Sequence, residues 1–182
     1  GAVSITNVVT AAPQAALNAS ISGSAPITAS GSFNLLNPGQ TNNTSLQVGM
    51  NTANAGAVNG TATVALVSDA SNVGNCAPNC QLTLASQNVT VTGGVYQVAQ
   101  AGVTTNVTVA AQRIGGSATQ GVTITNTNVA PIGYQEGLSA VVTASSGAAT
   151  GAGSVTNLAQ GGTNGAGVQV GVNTSTAGAQ AG

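Results

Sequence analysis

The chain has 182 residues and a formal net charge of −1, carried by Asp69, Arg113 and Glu136 alone, with no Lys, His or Trp. Charged residues make up 2%, against about a quarter in typical globular domains, which excludes most chemistry that needs ionisable groups. A hydrophobic fraction of 42% excludes highly charged disorder, and no run approaches the roughly 18 consecutive apolar residues of a membrane-spanning helix.

The predicted elements, taken in chain order, are all strands. They fall near 3–9, 15–22, 27–36, 44–51, 58–68 and 80–100, the last as two strands, and then near 103–110, 121–127, 137–144, 151–158 and 167–173. Leu46, Val48 and Met50 alternate with Ser45, Gln47 and Gly49, and Ala62, Val64 and Leu66 alternate with Thr61, Thr63 and Ala65. Leu82, Leu84, Val89 and Val91 continue this period of two, which places one face in a core and the other toward water. β-Branched Val and Thr suit a pleated surface. Turn clusters separate the runs, among them Asn37-Pro38-Gly39-Gln40, Asn72-Val73-Gly74-Asn75 and Gly161-Gly162. The segment Ala11–Ala19 is the nearest to a helix, and Pro13 argues against it. With only Phe33, Tyr96 and Tyr134 aromatic, the core must be built from Val, Leu, Ile and Ala. Short alternating strands between regular turns predict an all-β fold of immunoglobulin-like β-sandwiches.

An internal repeat organises the chain. Residues 2–60 recur as residues 121–182, at a spacing of 119 at the start and 122 at the end. Val3-Ser4-Ile5-Thr6-Asn7 matches Val122-Thr123-Ile124-Thr125-Asn126, Leu46 to Thr52 matches Val168 to Thr174, and Gly60 aligns with Gly182. Two sandwich repeats are expected, 1–100 lacking its opening strand and 101–182 lacking its closing strands, about one and a half copies in all. Gly1-Ala2-Val3-Ser4 starts directly in strand-like sequence, as expected of a mature or excised segment. Either the chain is a window on a longer tandem array, or neighbouring subunits supply the missing strands by β-strand addition. The candidate self-assembly edges are Val3, Ile5, Val103, Val107, Val168, Val170 and Val172. Almost no charge guards these edges against pairing, although the same neutrality also suits one module of a large low-charge protein.

Cys76 and Cys80 stand in the loop Asn75-Cys76-Ala77-Pro78-Asn79-Cys80. With no His and no second Cys pair this is a poor zinc site, and a redox pair wants two intervening residues at a helix start. A small disulfide pinning the loop is expected, which suits an oxidising compartment outside the cytoplasm.

Candidate catalytic chemistry fails for want of side chains. A serine hydrolase has no base. Asp69 and Glu136, the only carboxylate pair, lie in different copies, where a glycosidase needs both beside one bond. Calcium sites want several carboxylate oxygens, and nucleic-acid binding needs more cations than Arg113 provides. Gly161-Gly162-Thr163-Asn164-Gly165 lacks the Lys and helix of a phosphate loop. No catalytic residue, cofactor or metal ligand is therefore assigned.

The run Ser86-Gln87-Asn88-Val89-Thr90-Val91-Thr92-Gly93-Gly94-Val95-Tyr96-Gln97-Val98-Ala99 resembles the closing strand of choice-of-anchor D repeats of large bacterial surface proteins. Gly60 to Asp69 resembles their preceding strand. Val122–Asn128, Ala130-Pro131 and Tyr134 to Leu138 resemble their opening. The resemblance implies tandem immunoglobulin-like sandwiches on secreted, often surface-attached proteins, with no catalytic residues to carry over. The Cys76–Cys80 loop departs from it. Two functions are expected. The first is a structural subunit of an extracellular filament or surface array whose partners are copies of itself or adjacent repeats. The second is an adhesion module, with Thr rows such as Thr90/Thr92 and Thr123/Thr125 facing a ligand or simply water.

Overall fold

Alternating Val and Thr build antiparallel strands throughout the computed structural model, which describes residues 1–74 and 76–182. The chain is all-β and divides into two units, Gly1–Val95 and Tyr96–Gly182. Asn75, expected in a turn, lies outside the described residues.

The first unit holds β1 (Ala2–Thr6), β2 (Ala16–Gly23), β3 (Ile27–Ser30), β4 (Ser32–Leu36), β5 (Thr41–Met50), β6 (Gly56–Asp69), β7 (Gln81–Thr83) and β8 (Gln87–Val95). One sheet runs β1-β5-β3. In the other, β4, β2 and β6 lie side by side, and β7 and β8 pair in succession along β6. Ile27 and Leu46 from the first sheet meet Ala19, Ile21, Val58, Ala62 and Val64 from the second in one buried cluster. Two sheets closing on a shared core are compatible with a β-sandwich. Side chains as fully buried as Leu46 and Val64 each contribute about 1.5–3 kcal/mol.

The second unit holds β9 (Ala101–Val103), β10 (Thr119–Gly121), β11 (Ile124–Asn126), β12 (Leu138–Val141), β13 (Ala149–Leu158), β14 (Thr163–Asn164) and β15 (Val168–Val172). Its sheets run β10-β15-β13-β12 and β14-β11-β9. Val122, Ile124, Val155 and Val168 are buried together, with Val107, Leu138, Ala140, Val142, Leu158 and Val170 packed at the margin.

Several expected boundaries move for identifiable reasons. The strand expected over 27–36 breaks at Gly31, which has φ +112° and where a Cβ would collide with the Ser45 carbonyl. The break lets β3 join one sheet and β4 the other. Gly153, at φ +101°, makes the corresponding bend inside β13. The strand expected over 3–9 stops at Thr6, where the Asn7 side chain turns to the carbonyls of Ala15, before β2, and Leu36, at the end of β4. Of the strand expected over 103–110, only Val103, the last residue of β9, is paired, and residues 104–113 carry no strand. The division expected at residues 100 and 101 falls instead between Val95 and Tyr96. Gln97 binds the second unit through Gln97 N–H to the Tyr134 carbonyl and Glu136 N–H to the Gln97 carbonyl, both at 2.9 Å. The Tyr96 and Tyr134 rings lie 5.5 Å apart, centroid to centroid.

Candidate functional site

The two units share one hydrogen-bond plan, and their differences locate the site. Asn7 Nδ2 donates to the carbonyls of Ala15 and Leu36, and its Oδ1 accepts from Gln14 Nε2 at 2.9 Å. Asn126 Nδ2 donates to the carbonyls of Glu136 and Leu158, and its Oδ1 accepts from Gln135 Nε2 at 2.7 Å. The Thr6–Thr41 hydroxyl pair is matched by Thr125–Thr163. The pairing of β2 with β4 joins Leu17 to Leu36 and Ala19 to Phe33, and that of β12 with β13 joins Leu138 to Leu158 and Ala140 to Val155. Both pairings shift register at the same step. Leu35 and Asn157, the non-glycine residues with positive φ among the described residues, occupy matching places at +55° and +51°.

Against this common plan each unit lacks a strand that the other has. In the first unit the full length of β2 pairs with β6, from Ala16–Asp69 to Gly23–Ala62. In the second unit β12, the counterpart of β2, pairs only with β13, so its other edge is unpaired among the described residues. Conversely β11 carries β9 through Ile124–Val103 and Asn126–Ala101. Its counterpart, the Ile5–Thr6 end of β1, pairs among the described residues with β5 alone.

Burial follows pairing. Ala19 and Ile21, beside β6, are 5% and 7% exposed, whereas their counterparts Ala140 and Val142 are only half-buried. Val122 and Ile124, on the side covered by β9 and Val107, are buried, while Val3 and Ile5 are half-buried. A cleft of about 530 Å³ opens in the second unit between the segment 104–109 and the walls Ala149, Val170 and Val172. A neighbouring cleft of about 460 Å³ runs past Val109, Ile114 and Val172. The counterparts of those walls in the first unit are Ile27, Val48 and Met50, and there Gly60 of β6 packs on Ile27 and Gly93 of β8 packs on Met50. The clefts therefore lie where the first unit holds β6 and β8.

The expected edge residues separate into three groups. Val3 and Ile5 lie on β1, a true edge strand, with their side chains against the core. Val103 ends the edge strand β9 and is 51% exposed, while Val107 is unpaired but packs on the buried cluster. Val168, Val170 and Val172 are not at an edge. They belong to β15, which is interior, with β10 on one side and β13 on the other. The residues of the β12 edge, 138–143, were not singled out from sequence. Their signal was available in the repeat, because Leu138 to Thr143 correspond to the β2 residues that β6 covers.

Cys76 and Cys80 are bonded to each other. The loop returns to β6 through Ala70 N–H, which donates to the Cys80 carbonyl at 2.7 Å. Beside it Asp69 is buried, and its carboxylate accepts from Ser71 N–H, Asn18 Nδ2 and Gln81 Nε2. These bonds, those from Ser71 foremost, hold the carboxyl well below the usual carboxylate range despite burial. The bond from Ser71 N–H makes the carboxylate the cap of the short 3-10 turn Ala70–Asn72. Asp69 and Glu136 fall in different units, as their sequence positions imply. Among the described residues no group of His, Cys, Asp or Glu could hold a metal, and no helix is long and apolar enough to cross a membrane.

Comparison with protein-family models, curated proteins and solved structures finds no match to this chain.

Proposed function

We propose that the chain is a non-catalytic structural subunit of an extracellular filament or surface array. On this reading it is built of immunoglobulin-like sandwich repeats of the choice-of-anchor D type, about one and a half of them. The open edges are completed by copies of itself or by adjacent repeats, through strand complementation or stacking. The observation that carries the proposal is the reciprocal deficit: the strand missing beside β12 is present beside β2, and the strand missing beside β1 is present beside β11. Unpaired backbone groups at an apolar margin favour pairing with another chain. A contact between unlike edges is head-to-tail and extends into a filament wherever its rotation does not close a ring. The near absence of charge removes the usual barrier to such pairing. The Cys76–Cys80 bond supports an oxidising location.

Electron microscopy of the purified chain tests this reading. Regular fibres at modest concentration are expected, and a monodisperse chain that forms none contradicts it. An adhesion module is the second reading, favoured by the outward face of β6 and β8. There Asn59 pairs with Thr92 and Thr61 with Thr90, all exposed and uncharged. An adhesin stays monomeric and is retained on a ligand-coated surface.

A further inference from the structure

We infer that Tyr96 and Tyr134 form an oxidative cross-linking site, at which a peroxidase acting with hydrogen peroxide joins the two rings by a carbon–carbon bond. The product is an intramolecular dityrosine staple in the second unit. The inference goes beyond the structural-subunit reading and stands equally beside an adhesion module.

The backbone builds the juxtaposition. Gln97 and Gln135 form an isolated parallel bridge, closed by Gln97 N–H to the Tyr134 carbonyl and Glu136 N–H to the Gln97 carbonyl, both at 2.9 Å. The residues one place before the bridge therefore lie side by side, and alternation sends their side chains to the face opposite those of Gln97 and Gln135. Gln135 is buried, and its Nε2 donates to Asn126 Oδ1 and to the Thr127 carbonyl. Tyr96 and Tyr134 take the other face, with ring centroids 5.5 Å apart and planes inclined by 39°. That separation falls inside the contact range of aromatic pairs, about 4.5–7 Å. Tyr96 is 59% exposed and Tyr134 half-buried, so an oxidant reaches the pair from water.

Composition makes the pair selective. These are the only two tyrosines in the 182 residues, and the chain has no Trp or His. Both cysteines are bonded to each other. A radical formed on either phenol therefore has no indole, imidazole or thiol of the chain to pass to. Met50, the single Met, is half-buried in the first unit and reacts with peroxide by gaining oxygen, which the mass distinguishes. In the coupling each phenol gives up one electron and the proton of its hydroxyl. The two phenoxyl radicals join through the carbons ortho to oxygen, and the hydrogen on each of those carbons shifts to the oxygen to restore the aromatic ring. The chain loses two hydrogen atoms in all, and one hydrogen peroxide takes them up to give two waters. The staple ties the segment leading into β9 to the loop before β12 and restricts the unfolded chain as any covalent cross-link does.

The test treats the full chain, at micromolar concentration, with a haem peroxidase and hydrogen peroxide, with and without about 1 mM N-acetyltyrosinamide as a soluble trap. That level matches the roughly millimolar effective concentration that a flexible chain gives two of its residues, whereas groups held in contact exceed it by orders of magnitude. Intact mass, dityrosine fluorescence and peptide mapping are read. A monomer lighter by two hydrogens is expected, with one linkage between the peptides that hold Tyr96 and Tyr134. The trap should leave its yield within about twofold in the folded chain and cut it about tenfold in the chain unfolded in urea. Tyr96→Phe and Tyr134→Phe, which keep the rings, should each abolish the product. Equal suppression by the trap in folded and unfolded chain overturns the inference, as do covalent dimers or trap adducts in place of the stapled monomer, or a stapled monomer that persists in either Phe variant. The comparison of folded with unfolded chain uses the parent sequence alone, so it decides the matter even where a variant misfolds.

Discussion

Gln135 Nε2 donates to Asn126 Oδ1 at 2.7 Å in the interior of the second unit, and both residues are buried. The same Gln135 nitrogen also donates to the Thr127 carbonyl, while Asn126 Nδ2 reaches the carbonyls of Glu136 and Leu158. Two amide side chains thus tie the end of β11 to the segment before β12 and to the end of β13. Asn126→Ala leaves these buried groups without partners, at about 1–3 kcal/mol for each that water cannot reach. A loss of about 3 kcal/mol is expected in denaturant unfolding of the second unit. Asn7→Ala should act in parallel on the first.

Core depth differs between the units, and substitutions should report it. Leu46 is fully enclosed by two sheets, and Leu46→Ala should cost about 3 kcal/mol. Its counterpart Val168 is smaller and sits in the cluster margined by half-buried Ala140 and Val142. Val168→Ala should cost about 1–2 kcal/mol in equilibrium unfolding.

Gly31 and Gly153 should be intolerant, and for two reasons at once. Each has positive φ, and each would drive a Cβ into a facing carbonyl, that of Ser45 or Gly167. Either change to Ala should cost about 3 kcal/mol. Gly161, at φ +72° with open space around it, isolates the conformational part, and Gly161→Ala should cost about 1 kcal/mol. Thermal unfolding of the three variants checks the order.

Acid should destabilise the first unit through Asp69. Its folded carboxyl lies below the ordinary value of 3.8, so the unfolded chain takes up the proton first as pH falls. The contribution is fully present above that ordinary value and is lost progressively below it, toward the lower folded value. The melting temperature should therefore drop as pH is lowered below about 4, and Asp69→Asn should be less stable at neutral pH with a flatter acid limb. A wild-type acid limb identical to that of the variant contradicts this assignment.

Reduction of the Cys76–Cys80 bond should cost little. The loop spans a sequence separation of four, and so short a loop gives a chain-entropy contribution of about 2 kcal/mol. Unfolding with and without reductant should differ by no more than this, with the β2–β6 pairing intact.

Strand positions were readable because alternation reports which face is buried: Leu46 to Met50 and Ala62 to Leu66 fall on β5 and β6. Alternation does not report whether a strand's edges are paired. Val168, Val170 and Val172 show a clean pattern, yet β13 flanks them on one side and β10, some fifty residues earlier in the chain, on the other. The segment after Val103 shows a similar pattern, with Val107 and Val109 half-buried, and finds no partner strand. The roles of Asn7, Gln14, Asn126 and Gln135 were illegible for a related reason, since they bond one another and single carbonyls such as those of Leu36 and Leu158, which alternation does not report. Their matched places in the repeat were the one available sign.

Amide exchange at Val141 and Thr143, whose amides flank that of Val142 and face the open edge of β12, followed in the unmodified chain from dilute solution to the concentrated state, tests the central claim most directly. If neighbouring protein completes the second unit, both amides exchange freely in the dilute chain and become protected on assembly, while the Val142 amide, bonded to Gly153, stays protected throughout. Rates at Val141 and Thr143 that stay equal in the dilute and concentrated states contradict it.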